Sequence, residues 1–201
     1  QNRVVRTTDA SGREKKVTND ALGKIVKSED LGGTIEYKYN CFLEPKEIIS
    51  NGMSTSFEYD EVGNRIKISE PNAGVRESKY NAKGLVLMER DAKGNLIEYL
   101  DYDDLGRVLH KRIYHAALQQ QEDILYKYHT IPGMQGFGQI EMVQSSNGTS
   151  TAYKYTIHGE LESTTETIKG KVFETKNVYD PSNGNLVEII YPSGYHVYNS
   201  Y

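Results

Sequence analysis

The 201-residue chain has no Trp, a single Cys, five Pro and only four Phe. Leu, Ile, Val and Phe together supply 45 of the 201 residues, just above the range in which chains fail to fold, so any core is thin. One cysteine, Cys41, closes no internal disulfide. The longest strictly aliphatic run is the four residues 85–88, far short of the ~18–20 that cross a bilayer, so no spanning segment is expected. Neither charge sign dominates: 24 Lys and Arg face 28 Asp and Glu. A net charge of −4 gives no field for a phosphate backbone, which argues against nucleic acid as a partner, and is too small to favour disorder. The chain starts at Gln1 without an initiator Met or a signal-peptide pattern, so it reads as a piece of a longer polypeptide.

What is abundant is tyrosine, 16 residues, and it recurs with a period. Tyr59-Asp60-Glu61-Val62-Gly63, Tyr80-Asn81-Ala82-Lys83-Gly84 and Tyr102-Asp103-Asp104-Leu105-Gly106 share a Tyr-Asp-x-x-Gly form, with weaker copies starting at Asn19, Tyr39, Tyr128, Tyr155 and Tyr179. From 19 to 201 these anchors are spaced by 20 to 27 residues, giving eight units and the first Tyr of a ninth. A second turn falls about half a period on, at residues 9–12, 30–33, 51–52, 71–74, 91–94, 147–148, 169–170 and 193–194. Asp first and Gly fourth is a type I turn signature, because the short carboxylate caps backbone amides and Gly accepts the positive φ that follows. Asn51-Gly52 suits the tighter type I′ hairpin.

Between the turns lie alternating stretches rich in aromatic and β-branched residues, such as residues 34–39, 54–59, 65–69 and 149–155, the period-2 signal of a half-buried strand. Two strands of about six residues and two turns fill each ~21-residue unit. The fold expected is all-β: antiparallel hairpin repeats forming a long sheet, on the order of 75 Å wide, that must twist and curl. Tyr suits such a wall because its ring packs across neighbouring strands while its hydroxyl reaches water or a polar partner.

The Tyr-Asp-x-x-Gly-Arg/Asn pattern of residues 59–65 and 102–107, repeated over nearly the whole chain, resembles the YD repeats of RHS (rearrangement hotspot) proteins. That group is related to bacterial wall-associated proteins, toxin-complex shells and animal teneurins. The resemblance implies a β-strip wound into a hollow shell which, in toxin relatives, encloses a variable C-terminal effector and leaves the chemistry to it. It also implies a secreted or cell-surface bacterial setting, with further repeats or an effector domain of the same protein as partners. Members carrying an effector have an aspartyl self-cleavage core; here Asp180-Pro181 lies inside an ordinary repeat, so self-cleavage is not expected.

Three departures stand out: Leu43 occupies a Gly position, a Pro-containing turn replaces Asp-x-x-Gly at residues 129–133, and residues 114–123 lengthen one unit. The whole of 1–201 reads as one array, with 107–148 as longer, irregular repeats that hold a protruding loop or short helix, where grafted function tends to sit.

No catalytic, cofactor or metal set is expected. His110, His115, His129, His158 and His196 lack His-Glu-x-x-His spacing, and His115 near Glu122 and Asp123 reads as solvated loop rather than metal site. The Asp101, Asp103 and Asp104 cluster fails the EF-hand template at Leu105 and Arg112, so Asp103 reads as a turn cap. Gly133, Gly136 and Gly138 make no phosphate cradle, Ser163 to Thr165 lack a base, and the Asn147-Gly148-Thr149 sequon is a repeat turn. The primary reading is a non-catalytic wall segment; the alternative is a cell-surface adhesion module that reads carbohydrate or a protein through exposed tyrosines. Edge strands of a repeat strip also invite edge-to-edge self-association.

Overall fold

The computed structural model describes residues 2–201. Turn residues recur every ten or so positions, and each reverses the chain, so strands pair with their sequence neighbours. Two compact units result, one running to Asn95 and one from Leu96. The first contains β1 (Arg3–Thr8), β2 (Glu14–Asn19), β3 (Ile25–Asp30), β4 (Gly33–Tyr39), β5 (Pro45–Ser50), β6 (Met53–Tyr59), β7 (Arg65–Glu70), β8 (Gly74–Tyr80) and β9 (Val86–Arg90). The second contains β10 (Leu96–Tyr102), β11 (Val108–His115), β12 (Gln120–Tyr128), β13 (Ile140–Ser145), β14 (Thr149–Tyr155), β15 (Leu161–Ile168), β16 (Lys171–Tyr179), β17 (Leu186–Ile190) and β18 (His196–Tyr198). Within each unit consecutive strands pair antiparallel and uncrossed, and no helix occurs among the described residues. The all-β hairpin-repeat expectation is borne out.

Alternation sorts side chains onto two faces. In the first unit Tyr37 pairs with Ile48 and Phe57 with Ile68 on one face. Across the other run ion pairs between strands: Lys16 to Glu29 at 2.8 Å, Lys38 to Glu47 at 2.8 Å and Lys67 to Glu58 at 3.0 Å. In the second unit Tyr153 pairs with Thr164, which pairs with Thr175. Only Gly136, Tyr155 and Ser163 are buried among the described residues, so packing is lateral, strand on strand.

The hairpins are of two kinds. Every hairpin that ends on a repeat-anchor residue carries a register shift there: at Asn19, Tyr39, Tyr59 and Tyr80 in the first unit, and at Tyr102, Tyr128, Tyr155 and Tyr179 in the second. The hairpins closed by the intervening turns, such as β3–β4, β5–β6 and β15–β16, run without one. An extra residue on one strand bends it and sharpens its twist. The bulges are confined to the turn edge that carries the tyrosine motif.

Residues 107–148 contain the long strands β11 and β12, of eight and nine residues, and a closed loop at 129–139. That loop is a run of turns, Met134 N to Ile131 O, Phe137 N to Met134 O and Gln139 N to Gly136 O, sealed by His129 N to Gln139 O at 2.9 Å.

Candidate functional site: the turn edge and its tyrosine row

Most motif turns are organised by their second residue. Asp60 Oδ1 accepts the amides of Val62 at 3.0 Å and Asn64 at 2.8 Å, while Gly63 N donates to Asp60 O at 3.2 Å. The same side-chain oxygen takes the amides two and four residues on at Asp9, Asp20, Asn40, Asn81, Asp91 and Asp103. Gly63 sits at φ 91, where an L side chain is strained. Leu43, at the equivalent place, is forced to φ 62.

The carboxyl groups of Asp60, Asp91, Asp103 and Asp180 are held below their ordinary range. The side-chain amide of Asn64 holds Asp60 below the usual carboxylate range, Asn95 does the same for Asp91, and the Ser182 hydroxyl for Asp180. At Asp103 partial desolvation pushes upward, but the amide and guanidinium of Arg107 more than offset it and the net shift is down.

The first residue of the motif works across repeats. Tyr39 Oη donates to Ile25 O at 2.7 Å, Tyr59 Oη to Pro45 O at 2.9 Å and Tyr80 Oη to Arg65 O at 3.1 Å. In the second unit Tyr128 reaches Val108 O at 3.2 Å, Tyr155 reaches Ile140 O at 2.8 Å, Tyr179 reaches Leu161 O at 3.0 Å and Tyr201 reaches Leu186 O at 3.1 Å. Each acceptor belongs to the residue paired with the previous anchor at its bulge: Ile25 with Asn19, Pro45 with Tyr39, Arg65 with Tyr59, Val108 with Tyr102, Ile140 with Tyr128, Leu161 with Tyr155 and Leu186 with Tyr179. Burial pushes the phenols of Tyr39, Tyr59, Tyr128, Tyr155 and Tyr179 up.

The irregular repeats are tied into the same row. Arg107 lies over the Tyr128 ring, 4.2 Å from its centroid, grips Asp103 Oδ2 at 2.6 Å through Nη2, and donates from Nη1 to Gly138 O at 2.7 Å. Gly136 lies against Tyr155: a Cβ there would sit 2.4 Å from the ring. His129 meets the same ring edge-on, with 5.8 Å between centroids.

The residues singled out for chemistry are dispersed or spoken for. Glu122 and Asp123 are consecutive in β12 and so face opposite ways. Glu122 Oε1 accepts from Asn147 Nδ2 at 3.0 Å and from Ser145 Oγ. Asp123 meets His110 Nε2 at 2.7 Å and Arg112 Nη2 at 3.0 Å, and those two partners, His110 first, hold its carboxyl down. His115 pairs with Gln120 in the ladder. No group of three His, Cys, Asp or Glu side chains able to hold a metal occurs among the described residues. Asp103 caps its turn, while Asp101 Oδ1 accepts the Tyr102 amide. Gly133, Gly136 and Gly138 all take positive φ inside the 129–139 loop. Ser163 is buried within β15, beside Thr164 and Thr165. Asn147 Oδ1 accepts the amide and hydroxyl of Thr149. Asp180 Oδ1 accepts the Ser182 amide at 2.8 Å in a turn one residue longer than that at Asp60, where Gly184 N donates to Asp180 O and Asn183 Oδ1 takes the Asn185 amide.

No family model matches the chain. Its fold is similar to that of the Tc holotoxin pore of Photorhabdus luminescens, with a TM-score of 0.75 at 14% identity over 97% of this chain and 11% of that one. It is also similar to TcdB2-TccC3 without the hypervariable C-terminal region, with a TM-score of 0.63 at 11% identity over 92% of this chain and 12% of the other. In sequence it is 32% identical over 116 residues to the double-stranded DNA deaminase toxin A of Burkholderia cenocepacia. The chain shares their fold, an array of antiparallel hairpin repeats.

The array covers only a small part of these proteins: the deaminase-toxin match takes in 57% of the array and 8% of the relative. The periodic tyrosines of the array were legible in the sequence, but the destination of their hydroxyls was not. The available signal was distance: in five of the seven bonds the acceptor lies 14 or 15 residues before the donor.

Proposed function

We propose that this chain is a non-catalytic wall segment of an RHS-type shell that encloses or displays other domains of the same longer protein, in a toxin-associated, secreted or cell-surface setting. The observation that carries the reading is the fold likeness to the Tc holotoxin pore over 97% of the chain. The same anchor bulge and tyrosine bond recur in both units, which supports reading 1–201 as a single array with 107–148 as its irregular part. Zinc-dependent base deamination needs a His/Cys ligand set and a general acid–base Glu. The array has one cysteine, and it is exposed. Deaminase activity in the Burkholderia relative is therefore placed by us outside the matched segment. Incubating the 201-residue chain with double-stranded DNA is expected to give no deaminated base; turnover would overturn the non-catalytic reading. Cryo-electron microscopy of the longer polypeptide is expected to show this segment in the wall of a closed compartment, and an open ribbon would count against enclosure.

Adhesion remains our second reading, and it needs aromatic faces that the row does not use. Phe173, Tyr191 and Tyr195 line one groove with Val197, and Tyr191 and Tyr195 stand 6.4 Å apart. A glycan array with the Tyr195→Ala variant as comparison tests it: saturable binding lost in the variant supports adhesion, and no binding removes it. As a further partner we propose a second copy of the chain, because all six residues of β1 are exposed, with Val4 and Val5 among them. Sedimentation that shifts with concentration, and stops shifting in Val5→Lys, is the expected result.

A further inference from the structure

We infer that each repeat is closed by the tyrosine of the repeat that follows it, so that the array locks in one direction along the chain. A bulge interrupts the ladder and leaves main-chain groups short of their usual partners. At these bulges the fold supplies a phenol hydroxyl, and it comes from the next unit. In all seven bonds the donor lies 14 to 20 residues C-terminal to its acceptor.

The first anchor is the informative exception. Asn19 is too short to reach back, and its Nδ2 donates forward to Gly23 O at 2.9 Å, within its own turn. A hairpin's own turn and its closing bond thus come from separate residues. The Asp60 network builds the turn at 60–64, while Tyr80 Oη holds Arg65 O opposite the Tyr59 bulge. Loss of a phenol hydroxyl should therefore loosen the preceding hairpin and spare the one in which the tyrosine resides.

Two acceptors have a second donor. Leu161 O receives Asn177 Nδ2 at 2.9 Å as well as Tyr179 Oη, and Leu186 O receives Asn199 Nδ2 at 2.9 Å as well as Tyr201 Oη. Among the described residues Pro45 O has one side-chain donor, Tyr59 Oη. The direction of coupling and its strength are thus separable.

Hydrogen exchange on the full chain, read by mass spectrometry, tests this. Tyr59→Phe keeps the ring and removes the hydroxyl. It is expected to speed exchange at residues 39–46 about fivefold, the size of one net hydrogen bond, and to leave 59–65 nearly unchanged. Tyr153→Phe, a ring outside the row, is the control and is expected to change no neighbouring repeat. Tyr179→Phe is expected to speed 155–161 less than Tyr59→Phe speeds 39–46, with the full effect appearing once Asn177→Ala is added. Faster exchange confined to 59–65 in Tyr59→Phe, equal change in both hairpins, or no change in either overturns the inference. So does a Tyr179→Phe effect as large as that of the double variant.

Discussion

Tyr59 donates its hydroxyl to the carbonyl of Pro45, 2.9 Å away, and Pro45 is the residue that faces Tyr39 at the preceding bulge. A side chain conspicuous in the sequence therefore acts on a main-chain atom that no sequence motif marks. This relationship makes the array more than a row of independent hairpins, since each of the seven tyrosines that reach back belongs to two repeats at once.

Leu43→Gly is expected to stabilise the chain. Leu43 holds φ 62 in the place where other motif turns use glycine, and an L side chain in that region costs about 1 kcal/mol relative to glycine. Its side chain is exposed, so little packing is lost. Urea unfolding should show a midpoint shifted upward by a stability change of about that size, with circular dichroism unchanged.

Gly136→Ala is expected to do the opposite. The residue sits at φ 72, and a methyl group there would stand 2.4 Å from Tyr155 Cδ2. Positive φ and overpacking together should cost about 2–4 kcal/mol. Faster hydrogen exchange should concentrate in residues 129–139 and 155–161; an unchanged melting curve would contradict this account.

Stability should fall at both ends of the pH range. Hydrogen bonds from Asn64, Asn95 and Ser182 lower the folded-state values of Asp60, Asp91 and Asp180, so in acid the unfolded chain takes up protons first. Their contribution is complete above the ordinary carboxylate value of about 4 and is lost as the pH drops through the folded values. Burial raises the phenols of Tyr39, Tyr59, Tyr128, Tyr155 and Tyr179, so their contribution is complete below about pH 10 and is lost as the pH climbs through the raised values. Urea midpoints measured from pH 3 to 11 should trace a plateau with two falling limbs, and the alkaline limb should move outward when Tyr155 is replaced by Phe.

The sequence showed the strands and turns because those rest on local rules. Asp60 and Gly63 declare a turn within four residues, and Ile66 and Ile68 alternate with Lys67 within five. Bulges and phenol bonds are not local. The shift at Tyr39 depends on which residue of β5 lies opposite, and the reach of Tyr128 to Val108 spans 20 positions. The pairing of His110 with Asp123 was likewise hidden, because only the register of β11 against β12 brings them together. Arg107 could be read as the residue after the motif glycine, but its grip on Gly138 O needed the folded 129–139 loop.

The acceptors of the tyrosine row are Ile25, Pro45, Arg65, Val108, Ile140, Leu161 and Leu186: aliphatic, cyclic and cationic side chains serve alike, because only the carbonyl oxygen is used. The fastening is blind to composition at one end and strict at the other. Exchanging one twenty-odd-residue module for another that keeps the phenol is therefore expected to preserve the bond to the preceding unit, whatever side chain the acceptor residue carries.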